Sequence, residues 1–255
     1  MRYPNIDPVL IHIGPFQLRW YGLMYILGFI FSYGIMIHVS RLKRYNMYKT
    51  DIEDLLAGCI MGLIAGARIG YCLFYNFWYY IYNPLKIFAV WEGGMSFHGG
   101  LIGVILAGWI YSRKRDKPFW MIADLGAISA PPGLFFGRIG NFINAELYGR
   151  ATDMPWGIIF PGGGDFPRHP SQIYEALLEG VVLFIILYLV NKKNHVHGLI
   201  VATFLIIYGI MRFFIEFFRE PDAQLGFIIG PFTMGQVLCF AMIMLGGFLL
   251  RYRLK

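Results

Sequence analysis

Apolar runs of about 20 residues alternate with short polar segments along the whole chain. A helix of that length crosses a bilayer core about 30 Å thick, so the pattern predicts an all-α integral membrane protein. We predict about seven transmembrane helices, forming one domain over residues 1–255, and the opening residues show no signal-peptide pattern. The predicted spans are 20–39, 52–74, 96–112, 120–143, 172–190, 198–217 and 228–250.

The predicted spans differ in polarity. We interpret the first, fifth and seventh as plain apolar runs, whereas the second, fourth and sixth each contain an arginine. Pro131 and Pro132 should kink the fourth span, because proline lacks an amide donor and clashes with the preceding turn. The Gly- and Pro-rich segment 144–171 before the fifth span is interpreted as a long outer loop that forms a mobile cover.

Composition supports a membrane protein: 57% of residues are hydrophobic and 15% are charged, against about 25% charged in soluble domains. The net charge of +7 comes mostly from short loops, and no basic stripe suggests nucleic-acid binding. Cys59, Cys72 and Cys239 each lie in an apolar run without metal-ligand spacing. We interpret them as buried small hydrophobic residues.

Loop charge predicts the orientation. Thirteen basic residues follow spans one, three, five and seven, against six in the opposite loops. By the positive-inside rule the larger set is cytoplasmic, so the N-terminus lies outside and the C-terminus inside. The larger set is Arg41, Lys43, Arg44, Lys49, Arg113, Lys114, Arg115, Lys117, Lys192, Lys193, Arg251, Arg253 and Lys255.

Three arginines, Arg68, Arg138 and Arg212, fall inside predicted spans. An arginine at mid-membrane costs about 2.5–3.5 kcal/mol, so each requires a structural or functional reason. The predicted orientation places all three in the outer half of the membrane, at the level of Tyr21 and His98. Polar residues from five helices are therefore predicted to converge at one depth.

The segment 137–150 carries the densest polar cluster. Arg138 and Asn141 are three residues apart and share a helical face. A guanidinium with neutral amide donors suits a phosphate in a low-dielectric cleft. The alternative is hydrogen bonding between helices, but six polar groups exceed what that requires.

Two further patterns leave alternatives open. Tyr208, Arg212 and Glu216 form a polar stripe, in which Glu216 neutralises the arginine, orients it towards a substrate, or does both. His98 lies between two glycine pairs at the start of the third span, where the helix N-terminus favours a neutral imidazole that can accept a proton. For His98 and for Arg68, a structural role is the alternative.

Four motifs resemble those of the prolipoprotein diacylglyceryl transferase family, and the resemblance covers nearly the whole chain. The run GRIGNFINAELYGR at 137–150 resembles the family signature. Its companions are MSFHGGLIG at 95–103, HPSQIYE at 169–175 and YGIMRFFIEFFREPD at 208–222.

The resemblance implies an enzyme of the bacterial plasma (inner) membrane with its site toward the outer leaflet. It would transfer the diacylglyceryl group of phosphatidylglycerol to the lipobox cysteine thiol in a preprolipoprotein signal peptide. A thioether would form and glycerol 1-phosphate would leave, with no metal or organic cofactor. The resemblance implies catalytic roles for His98, Arg138 and Arg212, with Arg138 also binding phosphatidylglycerol. Further substrate-binding positions are Tyr21, Asn141, Glu146, Gly149, Tyr208 and Glu216.

Other function classes fit the pattern less well. A transporter or channel for an anionic solute would show two related halves and a site near the midplane. A structural scaffold would not explain costly polar groups at one depth. An intramembrane hydrolase needs its own nucleophile–base pair or metal ligands, and the sequence shows neither pattern.

We predict that a reporter fused after Lys255 reads as cytoplasmic, because positive charge is concentrated on that side. Reporter fusions at several loops would measure the orientation. A periplasmic reading at the C-terminus would contradict both the orientation and the outer placement of the site.

Overall fold

The computed structural model describes residues 1–14, 16–42, 45–193, 196–220, 227–230 and 232–254. Lys43, Arg44 and Lys255, whose charges enter the orientation prediction, lie outside the described residues. The last two residues of the 208–222 motif also lie outside them.

The described chain is mostly helical, as the hydrophobic pattern predicted. Its α-helices are α1 Trp20–Ser40, α2 Lys49–Phe74, α3 Phe77–Tyr82, α4 Phe97–Lys114, α5 Phe119–Ser129, α6 Pro131–Ile143, α7 Ser171–Glu175, α8 Leu183–Lys193, α9 Leu199–Ile215 and α10 Met234–Arg253. A π-helical turn, Ala176–Val182, joins α7 to α8, and short 3-10 turns cover Pro84–Phe88 and Val90–Glu92. Two antiparallel hairpins pair β1 Val9–Ile13 with β2 Phe16–Arg19, and β3 Phe227–Ile229 with β4 Phe232–Thr233.

Within the described ranges, five helical stretches are long and apolar enough to cross a membrane: Trp20–Ser40, Lys49–Phe74, Phe119–Ile143, Ser171–Lys193 and Met234–Arg253. The apolar helix Leu199–Ile215 is shorter, with 17 residues. α4 has 18 residues, but its last turn contains Arg113 and Lys114, which lower its hydropathy. The chain is therefore a multi-pass helical membrane protein.

Two helix boundaries show where local chemistry changes the predicted spans. The sequence predicted a kink at the proline pair, and the helix is interrupted there by one residue, since α5 ends at Ser129 and α6 begins at Pro131. The last helix begins at Met234 rather than at the predicted 228, because the preceding residues form the β3–β4 hairpin. Thr233 caps this helix and accepts a hydrogen bond from the Gln236 amide.

One compact unit comprises Met1–Met36 and Gly126–Lys255. Its helices approach closely at glycines: Gly209 of α9 faces Ile243 of α10, and Gly180 of the π-helical turn faces Phe135 of α6. These contacts pack α9 on α10 and the π-helical turn on α6. Four of the predicted site residues lie on α6 and α9: Arg138, Asn141, Tyr208 and Arg212.

The second compact unit is Ile37–Leu125. Its central feature is the packing of α2 on α4 through glycines, among them Gly62, Gly66 and Gly70 of α2 with Gly99 and Gly103 of α4. Small residues at four-residue spacing allow two backbones to touch, which is a principal source of helix association in lipid. This contact positions the first turn of α4, where His98 lies.

We predict that Gly66→Ala destabilises the protein, because its methyl group would overlap the Gly99 carbonyl oxygen and lie 2.9 Å from the Gly103 Cα. Overpacking of this kind typically costs about 1–3 kcal/mol. Thermal unfolding in detergent would measure the loss. The matched control is Gly58→Ala on the same helix, where a methyl group has no neighbour within 4 Å. Equal melting temperatures for the two variants would contradict the packing described here.

Candidate active site

The carboxylate of Glu175 joins the two arginines that the sequence singled out in the fourth and sixth spans. Its Oε2 lies 2.8 Å from Nη2 of Arg138 on α6 and 2.6 Å from Nη1 of Arg212 on α9. Glu175 is 0% exposed. Its position at the end of α7, next to the π-helical turn, places one oxygen atom between two guanidinium groups.

Arg212 has two further carboxylate neighbours. Its Nη1 lies 3.5 Å from Oε1 of Glu179, and its Nη2 lies 3.2 Å from Oε2 of Glu216. Glu216 also accepts a 3.0 Å hydrogen bond from the Thr233 hydroxyl and lies 3.9 Å from Arg219. The ion pair between Arg212 and Glu216, one of the two alternatives left open, is therefore present.

The interpretation of the fifth span as a plain apolar run is wrong. Glu175 and Glu179 lie within Ser171–Lys193, and both are 0% exposed. The sequence prediction considered the free energy needed to place an arginine in the membrane, but not that needed to place a carboxylate there, which is also unfavourable. Two carboxylates four residues apart in an apolar run were the signal that could have identified them.

The ionic cluster contains nearly balanced charge. Arg138 and Arg212 carry two positive charges, and Glu175 and Glu179 carry two negative charges when ionised. Burying an unpaired ion costs several kcal/mol. Each of these charged groups reduces that cost for its neighbours of opposite sign. Arg138 is the more accessible arginine, with 20% of its side chain exposed against 10% for Arg212.

The signature segment extends from Arg138 through hydrogen-bonded neighbours. Arg138 Nη1 lies 3.5 Å from Oδ1 of Asn141, and the Asn141 amide donates to Glu146 at 2.8 Å. The sequence prediction that Arg138 and Asn141 share a face is thus confirmed. Ala145 and Leu147, on either side of Glu146, have φ of 52° and 57°. Residues with side chains rarely adopt this left-handed backbone, and it persists where surrounding contacts hold it. Glu146 is held by Asn141 and by the Gln172 side chain, which donates to the Glu146 carbonyl oxygen at 2.7 Å.

Two tyrosines flank this region through ring packing. Tyr21 at the start of α1 lies against Gly140, where an added Cβ would approach the ring to 2.8 Å. Tyr208 stacks on Phe204, with ring centroids 5.5 Å apart, one turn before Arg212 on α9.

Gly149 serves as a point of close backbone approach. Its amide donates to the His169 carbonyl at 2.8 Å, and a Cβ there would overlap the Phe218 carbonyl oxygen. Glycine is therefore required by packing between three chain segments. The position of Gly149 in the sequence did not reveal this packing requirement, which the structure explains.

The segment between α6 and α7 is fastened at several points. Arg168 donates to the carbonyl oxygens of Gly163 at 2.7 Å and Gly149 at 3.1 Å, and it pairs with Glu220 at 2.7 Å. Burial lowers the pKa of His169, which favours its neutral form beside the Tyr174 hydroxyl. These contacts give no support to the interpretation of this segment as a mobile cover.

Arg68 belongs to the unit Ile37–Leu125 and has a structural role. It is 3% exposed and donates to five backbone carbonyl oxygens. The acceptors are the carbonyl oxygens of Lys86 at 2.6 Å, Ile87 at 2.8 Å, Ala89 at 3.1 Å and Gly94 at 3.1 Å, together with that of Gly93. The guanidinium thus organises the turns that lead into α4.

His98 lies in the first turn of α4, in the same unit as Arg68. Ser96 caps this helix by accepting from the Gly99 amide at 3.3 Å, and its own amide donates to the Ala67 carbonyl oxygen at 2.9 Å. The imidazole is exposed and lies edge-on to Phe97. Within the part of the chain that the structure describes, its ring nitrogens make no hydrogen bond, so they are free to contact a substrate.

Buried arginines and carboxylates in a multi-pass helical protein form a candidate site for a polar or charged group. The model of the family described as prolipoprotein diacylglyceryl transferase matches residues 8–252. The chain belongs to this family.

Curated relatives match over almost the full length of both chains, and each is named phosphatidylglycerol–prolipoprotein diacylglyceryl transferase. The Geobacter sulfurreducens protein is 56% identical over 246 residues, which cover 96% of this chain and 95% of the relative. The Pasteurella multocida protein is 52% identical, covering 96% and 91%, and a Nitratidesulfovibrio vulgaris protein is 49% identical, covering 98% and 96%.

Proposed function

We propose that this chain transfers the diacylglyceryl group of phosphatidylglycerol to the lipobox cysteine thiol of a preprolipoprotein signal peptide. The products are a thioether-linked lipoprotein precursor and glycerol 1-phosphate, in the first step of bacterial lipoprotein maturation. The observation that carries the proposal is the full-length family match together with the Arg138–Glu175–Arg212 cluster inside an apolar helical unit.

The reaction requires balanced movement of one electron pair and one proton. The thiolate sulfur attacks glyceryl C3, the C3–O bond breaks, and its electron pair leaves on the phosphate oxygen. A thiol is mostly protonated at neutral pH, so a base must accept its proton. Guanidinium groups directed at the departing phosphate stabilise the charge that develops there.

We assign the phosphate to Arg138 and Arg212, and proton acceptance to His98. The exposure of Arg138 and its contact with Asn141 support a role in binding the lipid phosphate. The exposed, glycine-flanked imidazole of His98 supports a role as the base. The remaining substrate-binding residues of the proposal are Tyr21, Asn141, Glu146, Gly149, Tyr208 and Glu216.

The proposal includes a membrane placement. One transferase domain, residues 1–255, crosses the bacterial plasma (inner) membrane seven times, with the N-terminus outside and the reaction toward the outer leaflet. Helices α4 and α9 supply the spans beyond the five long ones, and the match over residues 8–252 supports a single domain. The segment 144–170 then lies on the outer side.

The transfer itself is tested with purified protein, labelled phosphatidylglycerol and a lipobox peptide. We predict thioether product from the wild type, and a loss of about 10²-fold or more in kcat/KM for Arg138→Lys and Arg212→Lys, because an ammonium cannot reproduce a bidentate guanidinium. Arg113→Lys, at the exposed end of α4, is the matched control and should keep full activity. Absence of product from folded wild-type protein would refute the proposed function.

His98→Gln is predicted to lower turnover by about 10²–10⁴-fold while phosphatidylglycerol still binds, since this is the usual contribution of general-base catalysis. Turnover and lipid binding of the purified variant would be measured separately. Normal turnover in the folded variant would assign the base to Glu216 or to the ionisation of the thiol itself.

A further inference from the structure

Glu179 is the least compensated ion of the cluster. It is 0% exposed and lies in the middle of the π-helical turn Ala176–Val182. Its Oε2 has no hydrogen-bond partner among the described residues, which is also true of Oε1 of Glu175 and Oε2 of Glu216. Glu179 differs in its closest charged contact, since its Oε1 lies 3.5 Å from Nη1 of Arg212. By contrast, Oε2 of Glu175 has arginine nitrogens at 2.6 and 2.8 Å.

Glu179 lies in a turn of unusual geometry. π-Helical turns are rare and occur often at functional sites. Here Gly180, the next residue, lies against Phe135 of α6, where an added Cβ would come within 2.6 Å of the Phe135 side chain. The turn therefore packs directly on the helix that carries Arg138.

The groups around Glu179 come from every element packed against the turn. Arg138 is on α6, Glu175 ends α7, Arg212 and Tyr208 are on α9, and Cys239 on α10 also interacts with it electrostatically. The titratable residues of α8, which continues the same helix, are Tyr188, Lys192 and Lys193. At 1.5 Å per residue, they lie about 13 Å or more from Glu179 along the helix axis.

The described arginines of the cluster are matched by carboxylates, so no positive charge is left over to balance a bound anion. Two guanidinium groups face the carboxylates of Glu175 and Glu179, while Glu216 has Arg219 as an additional partner at 3.9 Å. A phospholipid phosphate would add one negative charge to a neutral buried cluster, and an uncompensated buried charge is expensive. Protonation of one carboxylate removes that excess.

We propose that binding of phosphatidylglycerol at the arginine cluster is coupled to uptake of one proton from water by Glu179. The inference rests on the proposed function, because it takes the lipid phosphate as the ligand of Arg138 and Arg212. Glu179 accepts the proton because Glu175 is held by two arginines and Glu216 by Arg212, Arg219 and Thr233. No covalent bond other than O–H forms, and Arg212 is released from Glu179 to face the phosphate.

The test measures lipid binding without the peptide, so that no thiol proton enters. Isothermal titration calorimetry at pH 8, in buffers of different ionisation enthalpy, counts the protons taken up when phosphatidylglycerol is added to detergent-purified protein. The wild type should take up about one proton per lipid, with affinity falling by up to about tenfold per pH unit as pH rises. Glu179→Gln imitates the protonated side chain and should bind with no proton uptake and no such decline.

The matched control is Glu53→Gln, an exposed carboxylate on α2 outside the cluster, which should retain the uptake of one proton. Proton uptake by the folded Glu179→Gln variant, or none by the wild type, would overturn the inference while leaving the transfer reaction intact. A wild-type protein that neither binds phosphatidylglycerol nor forms product would refute the proposed function as well.

Discussion

The site-bearing unit depends on the compensation of charge within a membrane-spanning fold. One carboxylate oxygen of Glu175 contacts both Arg138 and Arg212, and through it α6, α7 and α9 are linked. Removal of one partner from a buried ion pair typically costs about 3–5 kcal/mol, because the other charge remains buried. The contacts that compensate the arginine charges also determine where the guanidinium groups point, so the proposed reaction would depend on the same atoms as stability does.

In the unit Ile37–Leu125, the buried polar groups are compensated in a different way. There the helices α2 and α4 approach through glycine backbones, and the buried Arg68 donates to carbonyl oxygens instead of carboxylates. Backbone carbonyls are partial charges that never titrate. The arrangement before His98 is therefore insensitive to protonation, in contrast to the carboxylate-rich cluster.

Hydropathy predicted the helices well, because the bilayer imposes one length and one composition on each. It failed at 228, where β3 and β4 precede the last helix, since short apolar strands and helices cannot be separated by periodicity. Spacing along one helix predicted the contact of Arg138 with Asn141. Glu175 and Glu179 were missed because the cost of burying carboxylates in an apolar run was not considered, although their spacing was visible. Their arginine partners lie on other helices and could not be assigned from spacing along one helix.

The contacts of Arg68 have an evolutionary consequence. Each of its five bonds ends on a main-chain oxygen between residues 86 and 94, and none depends on which side chain stands there. These contacts constrain the number of residues in the stretch rather than most of their side chains, because an insertion would move the oxygens out of reach. Gly93 and Gly94 are the exceptions, since both have positive φ and a Cβ on Gly94 would overlap the Tyr71 ring. Among related chains the other residues of this stretch should vary in identity, while its length stays constant.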